Sequence, residues 1–446
     1  MIEQQYIDLF ETYRKDLNKH SSEGLNSKRD EAFQAFQKTG FPTSELEEYK
    51  HSNVARTFDT ELGLNIRNIP IPVNPYEAFK CDVPNLNTNV YFLINDRFYD
   101  KVEQKNSLPE KVFVGGLQEF SVKYPEVFNK YYGNIAKVEI DGLIAYNTMF
   151  AQDGFVVYVP KNVTIEQPLQ LINILRSDVD LNVNRRLLLI AEENAEVKLL
   201  VCDHAVDDVN FVVTQVTEVF VDQSARVDVY ELEENSDKVT RLSSLFSKQM
   251  ESSQLMTSSV TLHNGYTRNN FKFELLGKHA EAHVGGLVIA DKEQHVDNYV
   301  FIDHAVPNCT SNELFKYVLQ EKSSGVFCGK ILVDKDAQKT QAFQTNRNLC
   351  ASEDAHMFSK PQLEIYADDV KCSHGLTIGQ LDEQALFYLQ ARGIDKEEAK
   401  LLLMVAFTKD VVDLIRIDTL KERLEQLINK RFKGELLRCG NCNVCK

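Results

Sequence analysis

The sequence contains no uninterrupted apolar run approaching the ~18 to 20 residues that a membrane-spanning helix needs, so no transmembrane segment is expected. Its opening residues, Met1-Ile2-Glu3-Gln4-Gln5, turn acidic and polar at once, without the basic start and apolar stretch of a secretory leader. The expected compartment is therefore the cytoplasm, where thiols stay reduced. Positive charge is also in short supply: 50 Lys and Arg stand against 66 Asp and Glu, for a formal net charge of -16. Such a chain repels a phosphate backbone, which argues against nucleic acid as a partner. Three catalytic signatures are missing as well: the G-x-x-x-x-G-K-[ST] phosphate loop, the G-x-S-x-G nucleophile elbow and the H-E-x-x-H zinc helix. An NTPase, an α/β-hydrolase and a zincin are thereby disfavoured. His283-Val284-Gly285-Gly286 has a glycine pair but neither a following helix nor a lysine, and reads as strand geometry.

What is present is a globular composition, 43% hydrophobic and 26% charged, with no low-complexity tract. At 446 residues the chain exceeds one ordinary core. Domains settle near ~100 to 200 residues, so two or three structural units are expected. The nine cysteines are an odd number, and six are spread thinly from Cys81 to Cys372, which makes a disulfide framework a poor reading. Cys372, near a histidine, stands out from the rest, as does the crowded trio Cys439, Cys442 and Cys445.

Tyr6, Leu9, Phe10, Tyr13 and Leu17 recur at helical spacing and predict an amphipathic helix over residues 6–17. A second is expected over 27–38, with Ser27 as N-cap, Phe33 and Phe36 on one face, and Gly40 and Pro42 ending it. Residues 57–132 mix short β-like runs such as 90–94 with helical stretches such as 117–124. From about Ala145 to Gly375 the text becomes a series of short runs rich in β-branched and aromatic residues, among them 155–159, 169–175, 187–190, 197–202 and 211–221. A small residue repeatedly opens the next run after a polar turn, as in Asn194-Ala195-Glu196, Ser224-Ala225-Arg226, His279-Ala280-Glu281, Asp336-Ala337-Gln338 and Asp354-Ala355-His356. A stacked solenoid needs such corners, because its rungs lie ~4.8 Å apart. A sandwich of many short strands reads nearly the same way. After Gly379 the helical period returns. Asp382 and Asp395 are placed to cap two helices, the second with Leu401, Leu402, Val405 and Val411 as its apolar face, and a third runs over 420–432.

Four constellations could carry chemistry. His295-Val296-Asp297 and Asp303-His304 offer metal-ligating residue types, although a polar strand face explains them as well. Cys372 and His374 are two apart in a strand-like run, so both side chains project from one face, ~6 to 7 Å apart at their β-carbons. A thiolate and an imidazole side by side suit iron or a nascent cluster. Two ligands do not complete a cluster, which usually takes about four, so the rest would come from a second chain. A buried Cys beside a hydrogen-bonded His is the alternative. The last residues, Cys439-Gly440-Asn441-Cys442-Asn443-Val444-Cys445, have C-x2-C-x2-C spacing like the start of a bacterial ferredoxin run, but lack its fourth Cys and its Pro. Three thiolates could hold a metal with an external fourth ligand, or form a reduced tail with no structural role.

A longer ordered string runs through Ser311-Asn312-Glu313-Leu314-Phe315-Lys316, Gly325-Val326-Phe327, Gln344-Thr345-Asn346-Arg347-Asn348-Leu349, and from Lys360-Pro361-Gln362 through Cys372-Ser373-His374-Gly375. This string resembles a known family, the SufB/SufD family of the SUF iron-sulfur cluster assembly system. It continues in Gly379-Gln380-Leu381-Asp382 and Leu386 to Ile394. Near the start, Gly40-Phe41-Pro42-Thr43 and Glu47-Glu48-Tyr49-Lys50-His51 are similar to the family's pattern, with Tyr49 where a Trp is more usual. The Cys-Ser-His-Gly form resembles the SufD branch rather than SufB-like chains.

The resemblance implies a mainly β fold, a right-handed parallel β-helix flanked by N- and C-terminal α-helical domains. The expected division is a helical region at 1–56, a mixed α/β connector at 57–144, the β-helix core at 145–379, and a C-terminal helical domain with its Cys-rich tail at 380–446. It implies a non-enzymatic scaffold subunit that assists cluster assembly and iron acquisition. The implied partners are a SufB-like paralogue at the β-helix and the ATPase SufC at the C-terminal helices. His374 is the implied cluster-assembly position and Cys372 its weaker neighbour, the iron-sulfur cluster being transient and shared. A flavin bound through the complex stays open, as does a homodimer of the isolated chain through the strand edge near Leu363 to His374. The tail cysteines lie outside the shared pattern. The rival reading is a β-helical carbohydrate-active enzyme using Asp297 and Asp303.

Overall fold

The computed structural model describes residues 2–69, 74–78, 87–101 and 108–435. From Phe155 onward the chain alternates strand by strand between two sheets, each 10-stranded, whose body is parallel. Strands such as Phe211–Val221, Val239–Gln249 and His295–His304 build the first sheet, and Arg226–Glu234, Gln254–His263 and Thr310–Leu319 the second. Each pair of strands is one rung of a β-solenoid. In the second sheet Glu196, Arg226, Gln254, Glu281, Thr310, Gln341 and Lys371 stack in register. Rung length therefore varies by a few residues along the chain, and no fixed period shows in the sequence.

The corners explain the recurrent small residues. Asn194, Ser224, Ser252, His279 and Asn308 hold positive φ between 56° and 64°. Each is followed by a fully buried small residue, Ala195, Ala225, Ser253, Ala280 or Cys309. The left-handed residue turns the chain, and the next side chain points into a space only one rung high. The amide nitrogens of Arg226, Gln254, Glu281, Thr310 and Gln341 then bond the carbonyls of those small residues on the preceding rung. Ala355 marks the opposite edge, just before strand His356–Ile365.

The interior is apolar along one band, from Tyr91 and Leu93 through Val227, Phe273 and Ile302 to Phe327 and Ala342. Beside it runs a buried polar column. Arg185 and Arg241 share Asp203 at 2.6 and 3.0 Å, Arg241 also meets Glu231 at 3.2 Å, and hydrogen bonds lead from Arg241 through Asn269 and Asn298 to Tyr317. Helices cover both outer faces. Ile2–Lys19, Arg29–Thr39 and Gly142–Phe150 pack with Val212 and Leu242 of the first sheet. Lys396–Val412 and Asp418–Phe432 pack with Leu200, Tyr230, Met256 and Leu287 of the second.

Several local expectations need correction. Ser27 does not cap the second long helix. It closes the short turn Glu23–Asn26, where its hydroxyl donates to the Gly24 carbonyl, and Arg29–Thr39 starts after Lys28 with no side-chain cap. Gly142–Phe150 is helical, across the point near Ala145 where the sequence reads as the start of the β-rich region. Every residue of it is buried, so it lacks the polar face that makes a helix legible. In Lys396–Val412 the buried face is Ala399, Met404, Thr408, Val411 and Val412, whereas Leu402 is 42% exposed. Asp382 and Asp395 do cap their helices, each accepting from two backbone N–H groups.

Candidate functional site

The two ends of the solenoid differ. At the first, Arg97–Phe98 and Phe113–Gly116 run antiparallel to Asn89–Ile94 and Phe155–Val159, and Phe98 packs on Tyr91 and Phe155. At the last, strands His356–Ile365 and Lys371–Gly379 each pair on one side only, and no further described strand pairs with their free edges. Solenoids need a polar cap at each end, and an open edge invites another strand.

Cys372 pairs in register with Ala342, a core residue, and itself packs against the core, so its side chain faces the interior. Strand alternation then places Cys372, His374, Leu376 and Ile378 on that same inward face of the terminal rung. Across the interior stand Met357 and Leu363 of the other edge strand, also packed against the core. His374 is exposed, as are Leu376 at 39% and Ile378 at 50%. An interior cross-section with a thiol and an imidazole in it is thus open to solvent. Burial raises the Cys372 thiol above its ordinary pKa, a hydrogen bond from the Ala342 backbone only partly opposing this, so the group is a thiol at neutral pH. It becomes a metal ligand only on losing that proton.

The other candidates separate. His295 stacks on Tyr266 at 4.9 Å and bonds Ser324 at 2.7 Å, while His304 points inward and bonds Ser311 at 2.8 Å. Asp297 is buried against Arg268 at 2.5 Å and accepts the Ser52 hydroxyl. Asp303 lies further along the same strand, its carboxyl pushed up to about 6 by burial and by Asp334 and Glu274. Six residues of strand put the two carboxylates about 20 Å apart. Paired glycosidase carboxylates stand roughly 5 to 9.5 Å apart, so the carbohydrate-enzyme reading loses its catalytic pair. Among the described residues no group of three or more His, Cys, Asp or Glu is arranged to hold a metal. Cys439, Cys442 and Cys445 lie outside the described residues.

One feature escapes sequence reasoning. Residues 44–52 form a strap across the outer face of the first sheet near its open end. Tyr49 donates its hydroxyl to Asp141 and accepts from Asn270 at 2.8 Å, with the Arg268 guanidinium 4.7 Å from its ring centre. Glu48 accepts from Tyr299 at 3.0 Å, its carbonyl accepts from Arg268 at 2.8 Å, and Glu47 pairs with Lys360. Between the strap and the open end of the solenoid is a cavity of about 760 Å³ lined by residues including His51, Cys328, Phe358 and, from the terminal rung, Ile378. The family-like motif was the only signal for this strap, since nothing in its residues names strands more than 200 positions away.

Residues 174–407 match the family model described as SUF system FeS cluster assembly, SufBD core domain, and residues 1–171 match that of the SufBD protein N-terminal region. An iron-sulfur cluster assembly SufBD family protein of Synechocystis is 28% identical over 361 residues, 78% of this chain and 79% of that protein. The iron-sulfur cluster assembly protein SufD of Bacillus subtilis is 27% identical over 301 residues, 67% of this chain and 68% of that protein. SufD of Escherichia coli is 34% identical over 184 residues, 41% of this chain and 44% of that protein. With both its core and its N-terminal region matched, and with the β-solenoid between helical layers that the motifs implied, the chain belongs to the SufBD family of iron-sulfur cluster assembly proteins.

Proposed function

We propose that the chain is a non-enzymatic, SufD-like scaffold subunit that works in the cytoplasm and completes a cluster-assembly site together with a paralogous, SufB-like β-solenoid. The observation that carries this reading is the uncapped terminal rung, which offers two free strand edges, an exposed apolar cross-section, and Cys372 and His374 inside it. A second solenoid end would satisfy the free backbone groups, bury Leu376 and Ile378, and bring the ligands this chain lacks. In isolation, a second copy of the chain takes that place as a homodimer. The cluster is cargo, shared between the two chains and passed on.

Helix Glu383–Gln390 supports a second docking surface. It has no buried residue, and Phe387 is 72% and Tyr388 56% exposed. We assign it, with the adjoining C-terminal helices, to the ATPase SufC, whose motion on binding ATP would rearrange the solenoid contact. The test is anaerobic cluster loading of the three-protein complex with and without His374→Ala. Loss of loading with the complex intact is expected. Equal loading, or failure of the unaltered chain to co-purify with both partners, would sink the reading.

A further inference from the structure

Behind His374 lies a column of inward side chains that a solenoid interior does not need for packing. In the second sheet Glu313, Gln344 and His374 occupy the same position on three consecutive rungs. Glu313 is 2% and Gln344 1% exposed. Gln344 donates from Nε2 to Oε2 of Glu313 at 3.0 Å. Neither Oε1 of Glu313 nor Oε1 of Gln344 has a hydrogen-bond partner among the described residues. A buried acid and amide with one oxygen of each left unpaired cost stability that a pair of leucines would not. Space has also been kept for them: a Cβ at Gly329 would lie 2.2 Å from Gln344 Nε2. No side chain at 329 is compatible with this placement of the amide.

In this placement the amide has one sense, with its nitrogen toward Glu313. With Nε2 committed to Glu313 on the inner rung, Oε1 is left to accept from elsewhere, and the next rung, ~4.8 Å away, carries His374. A histidine that ligates a metal through one ring nitrogen usually gives its other N–H to a fixed acceptor, which sets the tautomer and the ring plane. We propose that Gln344, held by Glu313, is the positioning residue for His374. Its Oε1 accepts the imidazole N–H, and the remaining ring nitrogen is presented to iron at the open end. This rests on the reading of His374 as a cluster-assembly residue.

The test is an anaerobic titration of ferrous iron into the assembled complex, comparing His374→Ala, Gln344→Leu, Glu313→Leu and Glu313→Gln, with a thermal melt of each chain. Gln344→Leu is expected to weaken iron binding about tenfold or more, the usual effect of losing a ligand's orienting partner, and to lower the melting midpoint by leaving Oε2 of Glu313 unpaired. Glu313→Leu should weaken binding too, and Glu313→Gln, which keeps a carbonyl acceptor for Nε2, should restore it. A pair that only filled the core would lower the midpoint in these variants and leave iron binding untouched. Iron binding unchanged in Gln344→Leu but lost in His374→Ala overturns the positioning role and leaves His374 standing. Binding unchanged in His374→Ala removes the reading beneath both. Should Gln344→Leu fail to fold, equal binding by Glu313→Leu and Glu313→Gln overturns the proposal.

Discussion

Lys316 donates from Nζ to Asp410 Oδ2 at 2.6 Å, tying the second sheet of the solenoid to helix Lys396–Val412. The same ammonium bonds the Phe407 carbonyl at 2.8 Å and lies 4.7 Å from the centre of the Phe407 ring. The two partners are unequal, the Lys316 side chain being 3% exposed and that of Asp410 57%. Removing the aspartate strands a buried ammonium, whereas removing the lysine leaves only a solvated carboxylate. Asp410→Ala should therefore cost about 2 kcal/mol, after allowance for solvent screening of the exposed partner, and Lys316→Met about 1. The double variant should be no worse than Asp410→Ala alone. Chemical denaturation of the three variants checks the order.

Beneath the strap, Arg268 and Asp297 form an ion pair with both side chains 1% exposed. Arg268→Leu leaves that carboxylate buried with only the Ser52 hydroxyl, and about 3 to 5 kcal/mol should be lost. Because the Tyr49 ring rests on the same guanidinium, the loss should free the strap first. Hydrogen exchange would register this as lost protection at residues 47–52 before the strands open. Uniform loss of protection across the sheet would count against a local role.

The Glu313 carboxyl is pushed up to about 8 by burial, the Gln344 hydrogen bond opposing this only in part. A raised folded value means that the native state binds the proton more tightly than the unfolded chain does. Stability conferred by neutral Glu313 is complete below the ordinary glutamate range and falls as pH rises from about 4.5 to about 8. Glu233, pushed up to about 7, acts in the same direction, so the trend of the unaltered chain sums both. The difference between Glu313→Gln and the unaltered chain isolates one group. It should grow in favour of the variant across that window, by a few kcal/mol at ~1.4 per pH unit, and be flat above it. Urea midpoints at pH 5 and pH 8.5 decide this.

How much of this was legible follows from the range over which each signal acts. Caps are local, and Asp382 and Asp395 could be read directly because the carboxylate and the amides it serves lie within three residues. Corners were half legible. Ala195 and Ala225 stood out after their turns, but the equivalent corners end in Ser253 and Cys309, where a different small residue meets the same steric demand. The helix Gly142–Phe150 was not legible, since burial on every side removes periodicity. For the site, alternation alone put Cys372 and His374 on one face. Nothing in the text says that this face looks into an open interior, because openness is the absence of a following rung. Glu313 and Gln344 were present in the family-like motifs yet carried no role, for the hydrogen bond joining them spans a whole rung of chain.

The open end yields the most direct test of association. Lys371 N bonds the Thr340 carbonyl, so by alternation the amides of residues 372, 374, 376 and 378 point to the free side. A proline at 378 thus removes an outward N–H and no ladder bond within the chain, while shortening the edge a partner could pair with. Ile378→Pro should leave the melting midpoint nearly unchanged, and Leu376→Lys with Ile378→Lys should do the same, since both side chains already meet solvent. Both should abolish pairing. Proline removes backbone donors, and lysine places charge where apolar surface would be buried. Sedimentation of the isolated chain should show the proposed homodimer give way to monomer, and co-purification of the proposed paralogous partner should be lost. Retention of the proposed ATPase partner in the same preparation would confine the effect to the solenoid end. A dimer that survives both changes would place the association surface elsewhere on the molecule.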